Sequence, residues 1–134
     1  MTYTLVALIK RKSGTTPEEF RTYYDTVHAP LLKSLVGSTF PLTHTRNYVT
    51  RKPAESSGSS TEFEPVIYSG DASNVDYDSV TVMVWEDKAA LDRFAEKFYS
   101  KEVQEKLKED EDKFLDPSPR AIYIIKEPRV IKCD

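Results

Sequence analysis

Residues 16–35 read TPEEFRTYYDTVHAPLLKSL, a stretch that joins a helix-start signal, an aromatic-rich apolar stripe and a histidine two residues before a proline. Thr16 is placed to cap a helix and Glu19 to reach back to it, the reciprocal capping box, while Pro17 falls at the first helical position, where its missing N–H costs nothing. Phe20, Tyr23, Tyr24, Val27, Leu31 and Leu35 recur at spacings of three and four, so at about 100° per residue they share one face. His28 follows Tyr24 by four and falls at the border of that face. Pro30 has no N–H to donate and its ring crowds the carbonyl of Thr26, which predicts a kink or a helix end close to His28.

Working outward, the flanking segments read as strands. Thr2–Lys10 (TYTLVALIK) is a near-continuous apolar run, as expected of a strand covered on both faces. Leu42–Arg51 (LTHTRNYVTR) alternates, placing His44, Arg46, Tyr48 and Thr50 on one side and Thr43, Thr45, Asn47 and Val49 on the other. Lys52 to about Asp78, containing SSGSST, is too polar and broken for a core element and is expected to form a loop excursion. Val80–Trp85 (VTVMVW) is the clearest strand by β-branched content. Asp87 then caps a helix whose Leu91, Phe94, Ala95 and Phe98 form an apolar face. Ser100 caps another, with Val103, Leu107 and Phe114 among charges and Glu109–Asp112 read as a solvated acidic face. Pro117 and Pro119 end it, and Ala121–Lys126 (AIYIIK) supplies the last strand.

The order β-α-β-β-α-β, with extra helix before the last strand, predicts one α+β domain over residues 1–134, with a ferredoxin-like antiparallel sheet covered by helices on one face. Strands apolar on both sides would leave the other face exposed, and a second copy of the chain is the simplest cover, so a homodimer with facing sheets is expected.

The composition is that of an ordinary globular protein: 39% hydrophobic, 11% aromatic and only four glycines in 134 residues. A net charge of −3 provides no electrostatic footprint for nucleic acid or an anionic membrane, and no run approaches 18 consecutive apolar residues. Cys133 is the sole cysteine, which excludes an intrachain disulfide and makes a reducing cytoplasm the expected setting. Two histidines without His-x-x-x-His or Cys-x-x-Cys offer no zinc site. Glycine-rich nucleotide loops and a nucleophile elbow are absent from the sequence as well.

Phe20–Pro30 (FRTYYDTVHAP) resembles the first-helix signature of EthD-like proteins of the dimeric α+β barrel superfamily, and Tyr77–Thr81 and Asp110–Asp116 resemble fungal members of that group. The resemblance implies a dimeric barrel and cofactor-free chemistry on polyketide-like or other aromatic β-carbonyl compounds of secondary metabolism. Decarboxylation, dehydration and aldol-type cyclisation are the reactions it implies. It also admits a non-catalytic dimeric module that binds a small hydrophobic compound, and more narrowly a monooxygenase-type barrel.

A lyase or cyclase of this kind needs a base to move a proton and donors to stabilise an enolate. His28, with an ordinary pKa near 6.5, suits the first task; the competing reading is a core-edge histidine donating to the carbonyl that Pro30 leaves free. Tyr24, on the same face, together with His44 and Tyr48, is the candidate catalytic partner. Tyr23, the strand residues Thr81, Met83 and Trp85, and Phe94 of the following helix are candidates to line the pocket, against the alternative that they simply pack the core. Asp25, on the opposite flank of the helix, is expected to be solvated.

Overall fold

The computed structural model of the chain describes residues 1–54 and 62–133; the SSGSST run of the expected excursion lies outside the described residues. Strand β1 (Tyr3–Ile9) leads into helix α1 (Pro17–Tyr23), a π-helical turn (Tyr24–His28) and α2 (Ala29–Val36). Then come β2 (Thr43–Tyr48), a short ribbon of β3 (Arg51–Pro53) and β4 (Phe63–Pro65), β5 (Ser79–Trp85), α3 (Lys88–Phe98), α4 (Lys101–Glu111) and β6 (Ala121–Ile125). The main sheet has the order β2-β5-β1-β6 and is antiparallel throughout. β1 and β2 are thus separated by β5, the split βαβ topology that the element order predicts.

Cross-strand partners share a face, so the register assigns the two sides. Leu5, Ala7 and Ile9 of β1 stand opposite Met83, Thr81 and Ser79 of β5, and His44, Arg46 and Tyr48 of β2 continue the same face. This face carries the helices: Ala7, Met83 and Trp85 pack with Leu32 and Val36 of α2, Phe94 of α3, and Val103 and Leu107 of α4. β5 shows the pattern sharply, its helix-side residues buried and Val80, Val82 and Val84 half-buried. β2 departs from the expectation of strands apolar on both sides. Its outer residues Thr43, Thr45 and Asn47 are exposed, because it is a sheet edge and needs only one covered face.

The first helix begins as its sequence dictates. Glu19 N–H donates to Thr16 Oγ1 at 3.0 Å and Thr16 N–H to Glu19 Oε1 at 2.8 Å. Pro30 does not end it. The backbone widens into a π turn in which Ala29 N–H donates to the Tyr24 carbonyl, five residues back, and the helix then continues to Val36 with Pro30 in the first turn of α2. A proline ring clashes with the carbonyl four residues before it, and a wider turn relieves that crowding.

The widening adds one residue to the helix, so every position beyond it takes the face that its predecessor would have held. Val27 is exposed and Leu31 and Leu35 only half-buried, whereas His28, Leu32 and Val36 are buried. The expected stripe is corrected by one residue from its middle onward, and His28 moves from the border of the apolar face into it.

The later helices follow their caps, with Asp87 Oδ1 accepting from Ala90 N–H at 2.8 Å. Ser100 occupies the N-cap position of α4, but its hydroxyl donates to the Lys97 carbonyl rather than accepting from the helix. The ribbon is clamped to the body through Asp78, a buried carboxylate. Arg11 N–H and Nε donate to it at 2.9 and 3.2 Å, and Arg51 Nε lies 2.7 Å away as an ion pair rather than an aligned hydrogen bond. Arg51 also donates to the carbonyls of Val75 and Tyr77, holding the chain just before β5.

Candidate active site

A second cluster, separate from the main core, forms where the π turn faces α4 and β2. The ring of Tyr24 is its centre. Phe20, His28 and Phe114 lie 5.8, 5.8 and 5.6 Å from it, and His44 and Tyr48 lie 6.0 and 6.3 Å away across the sheet side. Aromatic rings at these separations and tilts attract edge to face, which fixes their orientation as well as burying them.

His28 is 7% exposed and lies against Phe114, ring centroids 4.8 Å apart. Its Nδ1 is 2.9 Å from Oδ2 of Asp110 on α4, and the other oxygen of that carboxylate accepts from Tyr23 Oη at 2.5 Å. A carboxylate only accepts, so Nδ1 carries the proton and Nε2 presents its lone pair. Nε2 faces Glu111, whose Oε2 is 3.9 Å away and whose side chain is 38% exposed. Burial pushes the His28 pKa below its ordinary value; the hydrogen bond and charge of Asp110 oppose this without reversing it. Burial holds the Glu111 carboxyl above the usual range. Loss of hydration pushes the Tyr23 phenol up to about 12, with the Asp110 hydrogen bond and charge adding to it, so Tyr23 remains a donor to that carboxylate.

Two other networks flank Tyr24. Its hydroxyl pairs with Thr81 Oγ1 at 3.1 Å, which pairs in turn with Ser79 Oγ at 2.9 Å; burial raises the Tyr24 pKa to about 12. Across the sheet, Asp25 Oδ1 accepts from Tyr48 Oη at 2.5 Å and from Arg46 Nε at 2.9 Å. Burial alone would raise Asp25, but these two hydrogen bonds and the charges of Arg46 and Arg21 hold it below the usual carboxylate range. Asp25 is therefore an ion-pair partner, not the solvated residue expected from its flank. Arg46 Nη1 lies 2.8 Å from His44 Nδ1, and an always-protonated guanidinium can only donate there, so His44 carries its proton on Nε2. Burial first and the Arg46 charge second depress the His44 pKa to about 4, which leaves it neutral at pH 7.

The expected site residues thus divide. Tyr23, Tyr24, His28, His44, Tyr48 and Thr81 come together in one cluster. Met83, Trp85 and Phe94 lie in the main core instead, with Trp85 Nε1–H donating to the Thr39 carbonyl at 3.2 Å and its ring 4.9 Å from Phe94. Tyr48 is in the cluster, but its hydroxyl is already committed to Asp25. A cavity of about 460 Å³ lies between the ribbon and the body, against Arg11, Arg51, Phe63 and Asp78. Another of about 250 Å³ reaches the aromatic cluster at Phe20 and Tyr48; neither is lined by His28 or His44. Among the described residues no group of three or more His, Cys, Asp or Glu is placed to hold a metal ion, and no helix is long and apolar enough to cross a membrane.

The sequence model of the EthD domain matches residues 12–118, most of the chain and all of this cluster. The chain belongs to the EthD family. Comparison with curated proteins gives no match. Among solved structures, an EthD-like protein from Ralstonia eutropha JMP134 superposes with a TM-score of 0.57 at 14% identity, covering 93% of this chain and 90% of that one. An ethyl tert-butyl ether D (EthD) family protein from Bacillus halodurans C-125 gives 0.51 at 19% identity, covering 96% and 100%. These likenesses are of fold.

In this EthD protein the residue that sequence reasoning missed is Asp110. Glu109–Asp112 reads as a solvated acidic run, yet Asp110 is 6% exposed. The signal was present: Val103, Leu107, Asp110 and Phe114 are spaced four, three and four apart, so the carboxylate occupies a position of the apolar stripe of α4. A charge there is buried by the helix that carries it, and buried charges are paired.

Proposed function

We propose that this EthD protein is a cofactor-independent lyase or cyclase that moves a proton on an aromatic or polyketide-like β-carbonyl substrate, with His28 Nε2 as the base. The observation that carries this reading is the chain Tyr23–Asp110–His28. One oxygen of a buried carboxylate fixes the imidazole in one tautomer and the other is held by the Tyr23 hydroxyl, and a core built only for stability would do as well or better with apolar residues of that size. His28 is held neutral by burial and so available as a base at pH 7. On the far side of Tyr24, neutral His44 is the matching donor, its Nε2–H suited to an enolate oxygen. Glu111 stands between Nε2 and solvent, and its partly exposed side chain is the group a substrate displaces. Two copies facing through the uncovered sheet side form the proposed assembly, which sedimentation at micromolar concentration should reveal at twice 15.3 kDa.

A second reading, a module that binds a small hydrophobic compound without converting it, is favoured by the two cavities' lying away from both histidines. One experiment separates the two. His28→Gln and His28→Ala are checked for folding by circular dichroism and assayed with aromatic β-keto acids and β-polyketones. A general base contributes about 10²- to 10⁴-fold, so turnover should fall by at least about 100-fold with binding retained. Unchanged turnover removes His28 from the chemistry, and binding by the unaltered protein without product establishes the second reading.

A further inference from the structure

Arg46 faces the aromatic cluster from β2 and is restrained on three sides. Its Nε donates to Asp25 Oδ1 at 2.9 Å, and its Nη1 lies 2.8 Å from His44 Nδ1 and donates to the His44 carbonyl at 3.2 Å. The guanidinium carbon lies 5.8 Å from the centre of the Tyr24 ring. Asp25 is itself pinned by Tyr48 Oη, and the His44 ring stacks on Phe40 at 5.7 Å with 15° between the planes. The planar guanidinium is therefore fixed in one orientation. Two nitrogens are left over. Among the described residues neither Arg46 Nη2 nor His44 Nε2 has a hydrogen-bond partner, and neither belongs to the buried side-chain atoms without one, Arg51 Nε and Arg120 Nε. Both therefore open to solvent-accessible space.

An ion pair as exposed as Asp25–Arg46, whose side chains are 36% and 24% accessible, stabilises little, and stability calls for no such restraint on the guanidinium. Charge stabilisation does call for it, because donors aimed in advance at a developing charge need no reorganisation when the charge forms. Asp25 balances the Arg46 charge through Nε and leaves Nη2 clear, so an incoming oxygen gains a donor without displacing a carboxylate. Position agrees with this. The His28 ring, the His44 ring and the Arg46 guanidinium carbon lie 5.8, 6.0 and 5.8 Å from the one Tyr24 ring, so the base and the free donors border a single aromatic side chain.

We propose that Arg46 is a further catalytic residue of this site: its Nη2–H and the Nε2–H of His44 together hold the two oxygens of a β-dicarbonyl as it becomes an enolate. This rests on the reading of His28 as the base. His28 Nε2 takes the proton from the carbon between the two carbonyls. The C–H electron pair becomes the carbon–carbon double bond of the enolate, and the carbonyl π pair moves onto oxygen, where the two donors receive the charge. The imidazolium keeps the proton for return to the product carbon or to a departing hydroxyl.

Exchange of the C2 hydrogens of ethyl benzoylacetate for deuterium, followed by proton NMR, reads proton abstraction and enolate stabilisation directly. Removing one donor of this kind costs about 10²- to 10³-fold, so Arg46→Gln, checked for folding by circular dichroism, should slow enzyme-catalysed exchange by that factor in kcat with KM little changed. In Arg46→Ala, guanidinium ion at millimolar concentration should restore part of the rate, an effect that a merely structural role would not give. Exchange at the native rate in Arg46→Gln overturns the proposal and leaves His28 as the base. Exchange at the native rate in His28→Gln overturns the reading of the base instead, and no acceleration by the unaltered protein refutes both. A second measurement needs no variant: in nitrogen-15 spectra of the unaltered protein the Arg46 Nη2 resonances should move on addition of acetylacetone. Unmoved Nη2 resonances beside shifted His28 resonances would refute the contact.

Discussion

Replacing Asp110 with Asn tests the site through its geometry. In the native arrangement two donors, His28 Nδ1–H and Tyr23 O–H, meet two oxygens of one carboxylate at 2.9 and 2.5 Å. An amide of the same shape offers one acceptor and one donor group, so one of the two native donors must yield. The stronger accommodation is at the imidazole: the amide donates to Nδ1 and the ring proton moves to Nε2, because neutral imidazole exchanges tautomers at little cost whereas a phenol raised to about 12 keeps its proton. Both hydrogen bonds persist but neither involves a charge any longer, a difference of about 1 kcal/mol for each. With about 2.1 cal/mol/K of unfolding entropy per residue over 134 residues, a loss of about 2 kcal/mol lowers Tm by about 7 °C. The larger effect falls on chemistry, since a proton on Nε2 removes the base and turnover should drop at least about 100-fold. Nitrogen-15 shifts of the His28 ring report the tautomer directly and calorimetry the stability. An unchanged Nδ1–H tautomer in Asp110→Asn, or a Tm within about 1 °C of the native value, would refute the reasoning.

Acid should destabilise the fold through its buried histidines, an effect that proton uptake by Glu111, whose carboxyl burial holds above the usual range, partly offsets. His28 and His44 have folded pKa values below the unfolded value of 6.5, so the unfolded chain binds more protons as pH falls below 6.5 and stability is lost from there down to about 4 for His44, at up to about 1.4 kcal/mol per pH unit for each group and less for the partly exposed His44. Urea melts at pH 7.5, 6 and 5 should show a progressive fall, and a His44→Gln chain a shallower one; parallel curves would contradict the assignment. The register of the first helix makes a further claim. Deleting exposed Val27 should leave cooperative unfolding intact by returning the helix to its ordinary period, with about 3 kcal/mol lost to the Pro30 ring's crowding of the preceding turn, whereas duplicating Val27 keeps Pro30 as it is but rotates Leu32 and Val36 outward and costs up to about 6 kcal/mol. Denaturation of both chains followed by circular dichroism decides it, and a deletion more damaging than the duplication would overturn the register.

The sequence by itself determined the architecture. The apolar runs of β1, β5 and β6, the alternation of β2, the Thr16–Glu19 capping box, the Asp87 cap and the Phe94 stripe are local signals, and their order permits few topologies. It also put His28 beside Tyr24 on the first helix, and His44 with Arg46 and Tyr48 on one side of β2, because helix and strand periods say which side chains of one element share a face. What it did not reveal was the depth of His28 or the identity of its partner. The first depended on how the chain accommodates Pro30: a widened turn rather than a break carries every later residue onto its predecessor's face. The second depended on which side of α4 meets that turn. Asp110 and its acidic neighbours are alike in composition, and only the packing of α4 against the first helix distinguishes the carboxylate that loses its water, and must take His28 and Tyr23 in exchange, from those that keep theirs.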